Sequence, residues 1–243
     1  MNLVIDIGNT RAKLVAFEGP EPIEEVHTSN TTLEALPEFL QKHAFRHGIL
    51  GTVIDITPEA EERLKHITFP MLYLDWQTPV PIRNRYASPE RLGADRLAAA
   101  VGAYSQQPGH DILIIDAGTC ITYDFIDAQG NYLGGNIAPG MHMRLKSLHT
   151  YTARLPLVEA EGEVPMLGFD TESAIRAGVI EGMRYEIEGY IRHFKEKYPQ
   201  LLIFLTGGDN INFDSTIKSL IFVDNFIVPK GLNCILTFNN DKL

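Results

Sequence analysis

The sequence predicts an α/β fold in two similar halves, each with a mixed β-sheet flanked by helices. Three observations lead there. A short motif recurs half a chain apart; strand-like and helix-like runs alternate along the whole length; and a turn-rich segment, Gln107-Pro108-Gly109-His110, separates the two copies. A chain of 243 residues suits one large domain or two of about 100–150 residues each. We place the halves at residues 1–109 and 110–243.

The repeat pairs Val4-Ile5-Asp6-Ile7-Gly8-Asn9-Thr10 with Ile114-Ile115-Asp116-Ala117-Gly118-Thr119-Cys120, an offset of 110 residues. Each copy is an apolar run that ends in Asp and small turn-formers. A second apolar run follows each turn, at 13–17 and at 121–126. Both copies therefore read as β-hairpins with an Asp at the bend. After the first hairpin the pattern predicts a helix over 32–43, a strand over 48–53, a helix over 58–66 and a strand over 71–74. Ser88-Pro89-Glu90 reads as a helix start, with Ser capping and Pro in first position, and the Ala-rich stretch 94–104 continues it. In the second half the hairpin covers 112–125 and a third strand covers 132–137. Ala138-Pro139-Gly140 then turns into a helix over 141–149. A long amphipathic helix spans 170–197, and a strand over 201–205 ends in Thr206-Gly207-Gly208-Asp209. A short strand over 220–223 precedes a last helix after Pro229-Lys230-Gly231.

Composition narrows the function. The net charge is −10 and Lys and Arg form no run, which argues against a nucleic-acid partner. The longest apolar stretches, 112–115 and 201–205, fall far short of the ~20 residues of a membrane span. Met1-Asn2-Leu3-Val4-Ile5 reaches Asp6 with no basic leader, so no signal peptide is expected. Two distant cysteines, Cys120 and Cys234, make no disulfide framework, and the expected compartment is the cytoplasm. Asn30-Thr31-Thr32 matches a glycosylation acceptor, which means nothing without secretion.

The Asp-x-Gly turns carry the chemistry. A carboxylate at a strand end followed by Gly sets an anion beside bare backbone N–H groups, and Gly8 lets the backbone approach a phosphate closely. Asn9 and Thr10 add side-chain donors, Lys13 a positive charge, and Asp6 a carboxylate for hydrated Mg²⁺. Tight hairpin turns favour Asp, Asn and Gly on their own account, but two such turns at half-chain spacing, with Gly207-Gly208-Asp209 after a late strand, favour a nucleotide site. No Gly-x4-Gly-Lys-Ser/Thr loop and no Gly-x-Gly-x-x-Gly after a strand occurs, so a P-loop or Rossmann site is not expected. Gly93-Ala94-Asp95-Arg96 lies near a helix start. An acid there suits the helix dipole; beside a phosphate site, Asp95 is a candidate general base and Arg96 a clamp for an anionic substrate group. Gly134-Gly135-Asn136-Ile137-Ala138-Pro139-Gly140 could bring N–H groups to phosphate or serve as a bend. His43 and His47 have the spacing of a metal pair but no third ligand, and are expected to be exposed. Cys120 reads as a small filler and Trp76 as a core residue. The charged side of 181–197 reads as a solvated face.

In order and spacing these motifs resemble the type III pantothenate kinases of the acetate and sugar kinase/actin superfamily. The resemblance covers nearly the whole chain: Asp6-Ile7-Gly8-Asn9-Thr10 with Lys13, Tyr86, Gly93-Ala94-Asp95-Arg96, Asp116-Ala117-Gly118-Thr119, Tyr132-Leu133-Gly134-Gly135, Pro139-Gly140, Thr171 ahead of Ala174-Ile175, and Thr206-Gly207-Gly208-Asp209. Cys120 departs from it, where the family more often has Ala. The resemblance implies two ribonuclease H-like (actin-like) domains with mixed five-stranded sheets, and transfer of the ATP γ-phosphate to the primary hydroxyl of pantothenate, the first step towards coenzyme A. It further implies that Asp6, Ile7, Gly8, Asn9, Thr10, Arg11, Ala12 and Lys13 bind ATP with Mg²⁺, and that Thr119 touches ATP. Asp95 would accept the proton. Tyr86, Gly93, Ala94, Asp95, Arg96 and Thr171 would bind pantothenate, and Asp116 would hold a monovalent cation, K⁺ or NH₄⁺. A homodimer is implied. Two alternatives share the fold: a kinase of another small hydroxylated acid or sugar, and a nucleotide-binding accessory protein without catalysis. The intact set of Asp6, Asp95, Arg96 and Asp116 argues against the second.

Overall fold

The computed structural model describes residues 1–208, 213 and 215–240. The first sheet contains β1 (Asn2–Ile7), β2 (Ala12–Glu18), β3 (Glu21–Thr28), β4 (His47–Thr52) and β5 (Met71–Tyr73) in the order β3-β2-β1-β4-β5. β1 runs antiparallel to β2 and parallel to β4. A central strand covered on both faces should be apolar throughout, and β1 is buried except at Asn2 and Asp6. Leu3, Ile5 and Ile7 share one cluster with Leu36 and Phe39 of helix α1 (Leu36–Lys42) and with Ala60 and Leu64 of α2 (Pro58–Leu64). The other face meets α3 (Ala94–Gln106) and α7 (Ile227–Asn239): a methyl group on Gly51 of β4 would touch Leu232 and Ala94.

The second sheet is built from β6 (Arg83–Asn84), β7 (Ile112–Ala117), β8 (Cys120–Ile126), β9 (Asn131–Pro139), β10 (Leu202–Gly207) and β11 (Ile221–Val223), in the order β11-β10-β7-β8-β9-β6. Set aside the two-residue β6 and the remaining order, β9-β8-β7-β10-β11, copies β3-β2-β1-β4-β5 strand for strand. The parallel pairs correspond as well: β1 with β4 and β4 with β5, β7 with β10 and β10 with β11. Helices α4 (Met141–Thr150) and α5 (Thr171–Lys197) share a core of Leu145, Val158, Ile175 and Val179. A short α6 (Ser215–Lys218) precedes β11.

The chain forms two compact units. One holds residues 1–110, 125–134 and 225–243, the other residues 111–124 and 135–224. The first unit takes in the last described helix because α7 packs on α3. The cause is small residues: a Cβ on Gly231 would sit 1.8 Å from the Ala98 carbonyl oxygen, so the two helices touch backbone to backbone. Asn233 of α7 then accepts a hydrogen bond from Asn2 Nδ2 and donates one to the Gly19 carbonyl.

Other expectations shift locally. β3 and β6 carry no strong apolar alternation and were not expected. The helix expected over 32–43 begins at Leu36, because Leu33 has φ +50°. The helix expected from Ser88 divides into a 3-10 turn, Pro89–Arg91, and α3, because Leu92 and Gly93 have ψ of 127° and 136° and Ser88 makes no capping bond. α7 starts before Pro229. A proline in the first turn costs nothing there, since that N–H has no partner within the helix. Among the described residues no helix is long and apolar enough to cross a membrane.

Candidate functional site

In the first unit, the hairpin between β1 and β2 turns through residues 8–11. Asp6 stands at the penultimate position of β1, half-buried, with Lys13 opposite it on β2 and Gly51 opposite it on β4. The Gly8 N–H donates to the Arg11 carbonyl at 3.1 Å, closing the turn. Asn9, Thr10 and Arg11 are exposed, whereas Ile7 and Ala12 are core residues at 1% and 0% exposure. Of the expected ATP-binding stretch, those two can offer only backbone.

Asp95 lies in the first turn of α3, half-buried, and its Oδ1 accepts from the Arg96 N–H at 2.7 Å. A Cβ on Gly93 would come within 2.5 Å of that same oxygen, so the glycine makes room for the carboxylate. Arg96 is 6% exposed, and its guanidinium carbon lies 5.7 Å from the Tyr86 ring centroid. The Tyr86 ring in turn meets Tyr132 at 6.2 Å. The structure thus brings Tyr86, Gly93, Asp95 and Arg96 together. A cavity of about 660 Å³ opens beside them, with Gly93 and Ala94 on its wall. The ionisable groups on that wall, Asp55, Asp75 and Glu90, are all acidic.

In the second unit, Asp116 again stands at the penultimate position of its strand, β7, opposite Thr206 of β10. The turn to β8 is only Gly118-Thr119, closed by Gly118 N–H to the Cys120 carbonyl at 3.0 Å. Two glycines press on it. A Cβ on Gly140 would sit 2.1 Å from the Gly118 carbonyl oxygen, and one on Gly207 would sit 2.1 Å from that of Ala117. The Gly140 N–H also donates to the Thr119 carbonyl at 3.1 Å. The motifs around Pro139 and Thr206 therefore meet at the second Asp turn. Asp209 lies outside the described residues. Thr171 is the exposed first residue of α5, whose start is fixed by a capping box between Asp170 and Ser173. The Ser173 side chain, and then its N–H, hold the Asp170 carboxyl below the usual carboxylate range.

Several side chains depart from expectation. Trp76 is 56% exposed, not a core residue. Asp75 Oδ1 accepts from the N–H groups of Gln77 and Thr78, and that turn presents Trp76 on the acidic cavity wall. His43 is not exposed either: its side chain is 12% accessible, bonded to Glu24 at 2.8 Å and in ring contact with Phe39 and Phe45. His47 is half-buried at the start of β4. Glu188, on the helix face expected to be solvated, is 3% exposed and pairs with Arg184 at 2.9 Å and Arg192 at 2.8 Å. Sequence reasoning missed two braces. Asn30 holds the first turn, through bonds to the carbonyls of Gly8 and Asn9. Arg144 donates from Nε to the Pro139 carbonyl at 2.7 Å and pairs with Glu186 at 2.8 Å, while Tyr123 donates to the same carboxylate. Burial, first, and that carboxylate push the Tyr123 phenol pKa up, so it stays protonated.

Among the described residues no three His, Cys, Asp or Glu side chains gather as a metal-holding group. Each turn carries one carboxylate, Asp6 or Asp116, and one threonine hydroxyl, Thr10 or Thr119, all oxygen. That set suits a hard cation completed by water and phosphate oxygens.

Comparison with known proteins follows the same lines. Residues 2–193 match the type III pantothenate kinase family. A type III pantothenate kinase of Bacteroides fragilis is 54% identical over 243 residues, covering all of both chains. Among solved structures, a Campylobacter jejuni protein assigned to a Baf family of transcriptional activators is 22% identical with a TM-score of 0.62, covering 98% of this chain and 99% of its own. A Listeria monocytogenes protein assigned as an N-acetylmannosamine kinase is 13% identical with a TM-score of 0.55, covering 100% and 99%. At these identities the two structures speak for the fold, an actin-like α/β architecture.

Proposed function

The chain belongs to the type III pantothenate kinase family, and from that premise we propose how its residues divide the work of phosphorylating pantothenate with ATP, the entry step to coenzyme A. The observation that carries the assignment is the strand-for-strand match of the two sheets, with an Asp at the penultimate position of each first strand.

Phosphoryl transfer asks a protein for positioning and charge neutralisation more than for covalent chemistry. The Asp6–Lys13 stretch binds ATP: Gly8, Asn9, Thr10 and Arg11 through accessible backbone and side chains, Ile7 and Ala12 through backbone alone. Asp6 holds Mg²⁺ through water. An ion held there would supply charge neutralisation for the phosphates during transfer to the acceptor hydroxyl, with ADP as the leaving group. Asp95 takes the proton from the primary hydroxyl. Arg96 meets the pantothenate carboxylate, with Tyr86 stacked on the guanidinium. Gly93 and Ala94 line the path to Asp95, and Thr171 adds a hydroxyl to substrate. In the second unit Asp116 holds a monovalent cation, K⁺ or NH₄⁺, and Thr119 touches ATP. Residues 1–109 and 110–243 are the two copies of one ancestral unit.

The enzyme works in the cytoplasm as a homodimer. Support for the dimer comes from apolar side chains on the second unit: Tyr151, Met166, Leu167 and Phe169 are 86%, 99%, 85% and 70% exposed. Large apolar groups left this exposed are a common mark of a protein–protein contact. Asp95→Asn tests the catalytic assignment. A positioned base contributes about 10²–10⁴-fold, so turnover should fall by that factor while the melting temperature holds. Turnover near that of the parent would refute the role of Asp95.

A further inference from the structure

Asn30, in the loop after β3, is tied to the first phosphate turn by its side-chain amide alone. Its Nδ2 donates one hydrogen to the Gly8 carbonyl at 3.0 Å and the other to the Asn9 carbonyl at 2.8 Å. Peptide bonds here are trans, and in a planar trans peptide the C=O and the following N–H point in opposite directions. Pinning the Gly8 carbonyl therefore aims the Asn9 N–H away from Asn30, and pinning the Asn9 carbonyl does the same to the Thr10 N–H. Successive N–H groups turned to one side form a concave anion receptor.

The loop that carries Asn30 is itself fixed. The Ser29 hydroxyl accepts from the N–H groups of Thr31 and Thr32. The Thr57 hydroxyl donates to the Thr31 carbonyl. Leu33, fully buried, is held at φ +50°, the one non-glycine residue with positive φ among those described. A left-handed leucine is strained, and such strain persists only where the surroundings dictate it.

We propose that Asn30 is a positioning residue for the nucleotide phosphates, acting through the backbone of Asn9 and Thr10 rather than by touching the ligand. The proposal rests on the reading of residues 6–13 as the ATP site. Deleting a donor that contacts developing charge costs about 10²–10³ in rate. Losing an indirect brace should cost less, about a tenfold rise in KM for ATP. The test is steady-state kinetics of Asn30→Ala and Asn30→Asp, with each substrate varied in turn and melting temperatures recorded. Asp is isosteric but offers no donor at neutral pH and sets oxygen against two carbonyls, so it should be the worse of the two. The expected result is a raised KM for ATP with KM for pantothenate unchanged. An unchanged KM for ATP in both variants overturns the proposal, and so does an equal rise for both substrates, which is what general loosening would give. Calorimetric titration with Mg·ATP separates this from the family reading. Were the parent inactive on pantothenate, weakened ATP affinity in the variants would still support the brace, and equal affinity would still overturn it.

Discussion

The two hairpins start from the same idea and are braced in different ways. Both place an Asp one residue before a strand end, in sheets of the same order. The first turn spans residues 8–11, and its brace is a side chain, Asn30. The second is the two-residue Gly118-Thr119, and its braces are backbone: Gly140 and Gly207 pressed to within van der Waals contact of the turn. A side-chain brace can be removed while leaving the fold in place. A backbone brace cannot, because any side chain added there occupies the space the turn needs. The first hairpin is therefore open to change without loss of the fold, and the second is bound to the stability of its unit.

That contrast can be broken most forcefully at the glycines. Gly207 combines φ +105° with a Cβ position 2.1 Å from a carbonyl oxygen, so Gly207→Ala must move backbone. Gly140→Ala meets the same crowding at an ordinary φ. Each should lower unfolding stability by roughly 2–4 kcal/mol, a fall in melting temperature of about 5–12 °C. A variant that melts like its parent would show the second turn to be loosely held.

A smaller effect sharpens the division between the carboxylates. Asp6→Asn should cut turnover about 10²-fold or more in any salt, as loss of a charge-neutralising group does. Asp116→Asn should reduce turnover in K⁺ only to the level the parent shows in Na⁺. The comparison to make is the ratio of rates in the two salts; identical ratios in parent and Asp116→Asn would remove the cation from Asp116.

The smallest effect concerns the α5 cap. The folded-state pKa of Asp170 is lowered, so its contribution is present above the ordinary carboxylate pKa and is lost as pH falls through the folded value. Asp170→Ala should lower the melting temperature at pH 7, and the difference from the parent should vanish towards pH 3. A difference that is constant with pH would mean that the charge of Asp170 plays no part.

Much of this was legible in the residues. The repeat around Asp6 and Asp116 marked the duplication, since strand-ending Asp and turn-forming Gly carry local signals that survive out of context. The place of Asp95 and Arg96 at a helix start could be read from Gly93 and the Ala-rich run that follows. What stayed hidden depends on distant partners. Asn30 looked like an idle sequon because its bonds run to residues more than twenty positions away. Trp76 looked like core because size alone argues for burial, whereas the Asp75 turn sets it outward. Glu188 looked solvated because helix periodicity cannot show that Arg184 and Arg192 close over it. The return of α7 to the first unit was hidden as well, since only the contact of Gly231 with Ala98 requires it.

The most direct measurement is product formation by the purified protein with Mg·ATP and pantothenate, in K⁺ and again in Na⁺. The account predicts phosphorylated pantothenate, formed faster in K⁺. No phosphorylated pantothenate in either salt, from protein that still binds ATP, would contradict it.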